Sequence, residues 1–224
     1  MENPHLISTS CKNKVEAVCG LFLPFLFLAL TFASGCRRAG QAVEFVLPDT
    51  VQLQTGDIIF RLGESRESRA VTTFDKKGDY SHVGMVMNVK GRCMVLHAVP
   101  NERVSEQEKD SVKLEPVGVF FRSDRAVKGA VFRYPLSPED TSLLLQKGLR
   151  IYGRHPLFDG QFDCEDTTDF YCSELVYYLY HDALNIDLTE GKRHRLPLFP
   201  DLIFCSDIFQ NAKLEEVFAF EKKN

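Results

Sequence analysis

A histidine in the valine-rich stretch Tyr80-Ser81-His82-Val83-Gly84 precedes, by a long span of chain, a cysteine in Tyr171-Cys172-Ser173-Glu174-Leu175-Val176. The first stretch has strand character and the second reads as the opening of a helix. A thiol and an imidazole are the two halves of an activated nucleophile and its base. A fold that uses them together must therefore bring a histidine strand back against a helix N-terminus that comes much later in the chain. Few topologies do this.

The chain has 224 residues, 44% of them hydrophobic, which is enough for one sizeable core. A charged fraction of 26% argues against disorder and against a polytopic membrane protein. The formal net charge is -4, and no lysine- and arginine-rich stripe with interleaved aromatics occurs. Nucleic acid is therefore excluded as a partner.

Near the N-terminus, Lys12 and Lys14 precede an apolar run from Val18 to Phe32, followed by Ala33-Ser34-Gly35, Cys36, Arg37 and Arg38. This pattern reads as an export signal. Small residues before a cysteine also resemble a bacterial lipobox, in which cleavage precedes the cysteine and its thiol is lipidated. The expected organisation is a signal peptide at 1–35, a lipidated N-terminus and linker at 36–54, and a catalytic domain at 55–224. The expected location is the cell envelope, anchored to a membrane through Cys36 and facing the periplasm. An uncleaved membrane anchor is the alternative reading of the same run.

Export to an oxidising compartment would leave Cys93, Cys164, Cys172 and Cys205 in the mature domain. Four cysteines permit two disulfides, although a disulfide through Cys172 would abolish a nucleophile there. They show no metal-ligand spacing, and neither a metal nor a cofactor is expected.

Strands are expected at Asp57 to Arg61, Ser81 to Val89, Cys93 to Val99, Val112 to Val117, Ala130 to Tyr134 and Leu214 to Phe220. Ser65 to Phe74 suggests a short helix. Ser137 as N-cap, Pro138 at the first helical position and acids in the first turn start a helix that should run to Tyr152, with Gly153 as its stop. A second helix is expected over Phe170 to Leu184, capped by Thr168 or Asp169. The turn Lys90-Gly91-Arg92 makes a hairpin of the second and third strands. With an even loop, paired positions sum to 181, so His97 faces Gly84 and shares a face with His82.

Cys172 would then lie in the first turn of its helix, where free amides and the helix dipole favour a thiolate. The same amides are candidate donors to the oxyanion of a tetrahedral intermediate.

Four blocks taken in order resemble the permuted papain-like proteins of the NlpC/P60 superfamily, in the YaeF/YiiX-like branch. They are Thr55-Gly56-Asp57-Ile58-Ile59-Phe60, Tyr80 to Val86, Val95-Leu96-His97-Ala98 and Tyr171 to Val176. The resemblance implies an α+β fold with a small antiparallel barrel-like sheet packed against helices. It also implies Cys172 as nucleophile, His82 as base and His97 as the polar third member that orients His82. Ordinary papain-type enzymes place the helix cysteine before the strand histidine, so the order here fits a permuted chain. Tyr80 and Tyr171, beside the base and the nucleophile, are expected to line the substrate cleft.

Glu174 is read as a structural hydrogen-bond or ion-pair partner, and Asp57 as a turn brace. The acidic loop with Asp159, Asp163, Glu165, Asp166 and Asp169 lacks the glycine-containing pattern of a calcium loop and is read as solvated surface. The function these residues imply is a cysteine hydrolase, an amidase or peptidase, that cleaves an amide in cell-wall peptides or related acyl-amides. Two alternatives are an acyltransferase or phospholipase-like thiol enzyme acting on lipid acyl groups, and a binding protein that keeps the cleft without turnover.

Overall fold

Lys90 and Gly91 both take positive φ, 53° and 78°, which makes a two-residue turn whose twist matches that of the strands it joins. The computed structural model, which describes residues 42–76, 78–102, 105, 107–164, 166–195 and 201–222, builds its sheet outward from this hairpin. The expected signal peptide, the lipidation at Cys36 and Glu165 of the acidic loop lie outside the described residues.

The hairpin strands are β2 (His82–Val89) and β3 (Arg92–Val99), and β1 (Ile58–Leu62) precedes them. Next come β4 (Ser111–Pro116) and β5 (Lys128–Arg133), and β8 (Glu215–Glu221) ends the chain. All neighbours pair antiparallel in the order β4-β3-β2-β1-β5-β8. Met85 pairs with Leu96 and Val86 with Val95, the register that a two-residue turn requires. A short pair, β6 (His194–Arg195) and β7 (Asp201–Leu202), stands apart.

Both faces of the sheet are buried, so its strands read as continuous apolar runs rather than alternating ones. One face carries Ile58, Phe60, Met85 and Leu96 against α3 (Pro138–Gly153) and α4 (Cys172–Leu184). The other carries Ile59, Val86, Val95 and Val131 beneath α2 (Val117–Phe120) and the segment around Phe45. Each fully buried side chain of this size contributes about 1.5–3 kcal/mol, and the two layers together hold the sheet rigid.

Ser137 caps α3, accepting from Asp140 N at 3.1 Å, while the Asp140 carboxylate accepts from Ser137 N at 3.0 Å. Gly153 belongs to this helix, and Arg154 caps its end. The helix α1 (Arg66–Phe74) starts at Ser65, whose hydroxyl accepts from Ser68 N. Several features depart from the sequence reading, which contained neither α2 nor the β6–β7 pair and ended α3 before Gly153. Neither Thr168 nor Asp169 caps α4, because the Asp169 carboxylate instead accepts from Leu157 N at 2.8 Å and the cap falls at Tyr171. The helix α5 (Cys205–Phe209) was not expected, since five residues give periodicity too little length to register.

Among the described residues, no helix is long and apolar enough to cross a membrane.

Candidate active site

Cys172 opens α4 and His82 opens β2, and the fold brings these two starts together. The Cys172 thiol shares hydrogen bonds with the side chains of Cys205 and His82, and Val83 N donates to its sulfur. Two bonds lock α4 against the chain leading to α5: Ser173 Oγ donates to Ile203 O at 2.6 Å, and Ile203 N donates to the Tyr171 hydroxyl at 2.9 Å. Cys205, the first residue of α5, is thereby fixed beside the nucleophile candidate.

His82 Nε2 lies 2.9 Å from His97 Nδ1, which leaves Nδ1 of His82 for the thiol. The alternation of side chains carries this polar row across four strands. Arg61 on β1 pairs with His82, and Glu115 on β4 pairs with Val95 and so shares a face with His97. His97 Nε2 lies 3.1 Å from Glu115 Oε1, out of line for an ideal hydrogen bond. Arg125 donates to both oxygens of Glu115, at 2.9 and 3.0 Å. Arg61 pairs with Glu102 and donates to Phe120 O at 2.7 Å. The Phe120 ring stacks on His82 and meets His97 edge-on, which holds both imidazoles in place.

Burial first, then Arg61, push His82 down to about 3. The Cys172 thiol lies well below its ordinary value, drawn down chiefly by Cys205, against burial, with His82 and Val83 N–H adding to the effect. The two directions conflict if the residues are taken as a resting thiolate–imidazolium pair, because an imidazolium beside a thiolate would lie high, not low. With Arg61 opposite a ring that is only 7% exposed, neutral His82 is the resting form. The acidity of Cys172 then rests on its neutral donors. Burial pushes Cys164 up to about 11 and also raises Cys93, while Cys205 is raised by its contact with Cys172. Cys172 is thus the acidic thiol among the described cysteines, and all four are free.

Two cavities flank Cys172. One, of about 590 Å³, has Arg61, Ser81, His82, Glu102 and Arg125 in its wall. The other, of about 260 Å³, is apolar, walled by Val71, Phe74, Leu202, Ile203 and Phe204. Tyr171 and Cys172 border both, as do Ala70 and Val71 of α1.

The structure brings Cys172, His82, His97 and Tyr171 to one place. Tyr80 lies elsewhere and lines neither cavity. Its ring packs on Phe60 and Phe209 in the core, because its neighbour Ser81 turns toward Arg61 O while Tyr80 turns inward. Glu174 accepts from Tyr171 N at 3.1 Å, and Asp57 accepts from Arg133 and Gln54 N, both structural bonds. In the acidic loop, Asp159 accepts from Gln161 N and Asp163 N, and Asp166 from Thr168 N, so these carboxylates shape turns. Sequence reasoning missed Glu115, Arg61, Phe120 and Cys205. Strand alternation could have placed Arg61 beside His82, but the long span between His97 and Glu115 hides their register.

A buried antiparallel sheet that delivers a histidine to a later helix cysteine defines a permuted papain-like protein. The chain belongs to the permuted papain-like amidase enzyme family YaeF/YiiX, C92, whose model matches residues 52–199. It is 31% identical over 144 residues to the uncharacterized protein YiiX of Escherichia coli strain K12, a match covering 63% of this chain and 64% of that relative. It also resembles the crystal structure of the metalloprotein YiiX from Escherichia coli O157:H7, with a TM-score of 0.63 and 25% identity. That likeness covers 76% of this chain and 99% of the other. Among the described residues of the present chain, no group of three or more histidine, cysteine or acidic side chains is placed to hold a metal ion.

Proposed function

We propose that the protein is a cysteine amidase in which Cys172 attacks the carbonyl carbon of an amide. Family membership supports the class of reaction. The observation that carries the assignment to residues is the contact of an acidic helix-opening thiol with a buried neutral imidazole. As the Cys172 sulfur bonds to the carbonyl carbon, its proton passes to Nδ1 of His82. The oxyanion forms beside the free amides at the start of α4. Collapse breaks the C–N bond while His82 gives its proton to the departing amine, leaving an acyl-cysteine. Water, deprotonated by His82, then releases the acid and restores the thiol. His97 keeps His82 oriented throughout.

The substrate is an amide with a polar part and a compact apolar part, which suits cavities of opposite character on either side of Cys172. Cell-wall peptides or related amides fit the polar side. The apolar cavity favours a second reading, in which an acyl chain is carried on the amide. We place the protein in the cell envelope, held to a membrane through a lipidated Cys36. Loss of metabolic lipid labelling in Cys36→Ser tests that placement, and unchanged labelling would overturn it.

An iodoacetamide probe read by mass spectrometry tests the nucleophile. It should label Cys172 at neutral pH about 10²-fold faster in the native protein than in His82→Ala, and equal rates would remove the assignment. Incubation with purified muropeptides and with N-acyl amino acids then separates the substrate readings by which amide is cut.

A further inference from the structure

Glu115 ends a row of contacts that begins at the nucleophile candidate, runs through His82 and His97, and stops at a carboxylate pinned by Arg125. We propose that Glu115 is a positioning residue: by accepting from Nε2 of His97 it sets the tautomer of both imidazoles and leaves Nδ1 of His82 free to act as the base. This rests on reading Cys172 as the nucleophile, and it adds a fourth residue to a site that sequence reasoning ends at His97.

Proton counting along the row has one solution. The Glu115 carboxylate can only accept. Burial alone would raise it, but His97 and Arg125 hold it down at about 2, so it is ionised. Nε2 of His97 is buried with no completed hydrogen bond, and Glu115 Oε1 stands 3.1 Å from it; a bare lone pair facing that carboxylate would be repelled, so Nε2 carries the proton. A neutral ring protonated at Nε2 has a bare Nδ1, and His97 Nδ1 faces His82 Nε2 at 2.9 Å. His82 must then donate from Nε2. Its own Nδ1 is left with a lone pair, and that nitrogen meets the Cys172 thiol.

The opposite tautomer would point an N–H at the sulfur. It could donate there but could not take a proton, so the base would be lost without any displacement of the ring. When His82 does take the thiol proton, the charge that forms lies two contacts from a fixed carboxylate, with Arg61 acting against it from β1. The other titratable groups facing His82 are His97 from β3 and Cys172 from α4, with Cys205 from α5 behind the thiol. Glu102 stands behind Arg61 and Arg125.

Two variants of the full chain test the proposal. In Glu115→Ala the pH midpoint of Cys172 alkylation should move down by about one unit, since a nearby negative charge is gone and the freed tautomer can donate from Nδ1 of His82 to the thiolate. The ring nitrogens of His82, read by ¹⁵N NMR, should lose their preference for Nε2–H. Glu115→Gln keeps an acceptor for His97, so it should preserve the tautomer while slowing alkylation at neutral pH about tenfold. If Glu115→Ala fails to fold, Glu115→Gln alone decides. A wild-type pH midpoint in the folded variant, with only a lowered Tm, would make Glu115 a structural residue and overturn the proposal. Failure of the underlying nucleophile reading is separately visible, because Cys172 of the native protein would then react no faster than in His82→Ala.

Discussion

His82 and His97 touch ring to ring, Nε2 to Nδ1 at 2.9 Å, with His97 fully buried and His82 only 7% exposed. Two imidazoles in this contact share one proton between the facing nitrogens, and two imidazoliums there would repel. The pair is therefore a neutral relay, with Phe120 against both rings and Arg61 discouraging charge on His82.

Neutrality gives His82 an unusual pH signature. Its folded value of about 3 lies below the ordinary 6.5, so below 6.5 the unfolded chain binds the proton more readily. The stability His82 contributes is complete above 6.5 and is lost as pH falls toward 3. Urea midpoints of the native protein should fall across this window more steeply than those of His82→Gln, by on the order of a few kcal/mol. Parallel curves would show that His82 titrates normally. Cys172 alkylation should likewise show no inflection at an ordinary histidine value.

Gly84 makes room for His97. A Cβ at this position would lie 2.6 Å from a methyl of Val95, 3.0 Å from His97 Cβ and 3.0 Å from Leu96 O. The neighbours are branched or backbone atoms inside a paired strand, so they have little room to give. Gly84→Ala should cost about 1–3 kcal/mol by overpacking and should slow Cys172 labelling further, by moving His97 off His82. Wild-type labelling in the folded variant would show that the relay tolerates the shift.

Cys205 is the largest influence lowering the Cys172 thiol, because it supplies a donor that stabilises the thiolate. In Cys205→Ala, the pH midpoint for alkylation of Cys172 should rise toward that of an ordinary thiol, by about one unit. Cys205→Ser restores a donor of similar length and should recover most of the shift. A midpoint unchanged in both variants would leave Val83 N–H as the donor that matters.

The sequence made the hairpin legible because Lys90 and Gly91 determine both the turn and the register, and the register puts His97 across from Gly84. Cys172 at a helix start was legible from its neighbours, although the cap moved to Tyr171 because Asp169 is drawn to Leu157 N. Glu115, Arg61 and Cys205 became visible only in three dimensions. Their partners lie on other strands or on a five-residue helix, and no local spacing encodes those contacts. Tyr80 went the other way: adjacency to the base suggested the cleft, but the aromatic cluster with Phe60 and Phe209 claims its ring.

Asp57 ties the start of β1 to β5. Its carboxylate is 1% exposed and accepts from Arg133 Nε and Nη2, both at 2.7 Å, and from Gln54 N at 2.8 Å. Asp57→Ala leaves Arg133 with Gln52 O but no carboxylate, at a partly exposed site, and the loss should be about 2–3 kcal/mol, below the cost for a fully buried pair. Cys172 labelling, once corrected for the unfolded fraction, should not change. A stability loss below experimental error would make this ion pair ornamental.

Glu174 shows the opposite pH behaviour to His82, three residues into the helix that presents the nucleophile. Burial and then nearby Asp159, Asp166 and Asp163 push its carboxyl up to about 9, against the hydrogen bond from Tyr171 N. The unfolded value is near the ordinary 4.5, so between 4.5 and 9 the unfolded chain ionises while the folded chain resists. The stability contribution is complete below 4.5 and declines as pH rises through this window. Glu174→Gln keeps an oxygen for Tyr171 N and removes the ionisation. Its Tm should approach or exceed that of the native protein as pH rises from about 5 to about 9, and the gap should close or reverse toward acid. A constant Tm difference across that range would mean that Glu174 is ionised in the fold, with the Tyr171 N–H outweighing its burial.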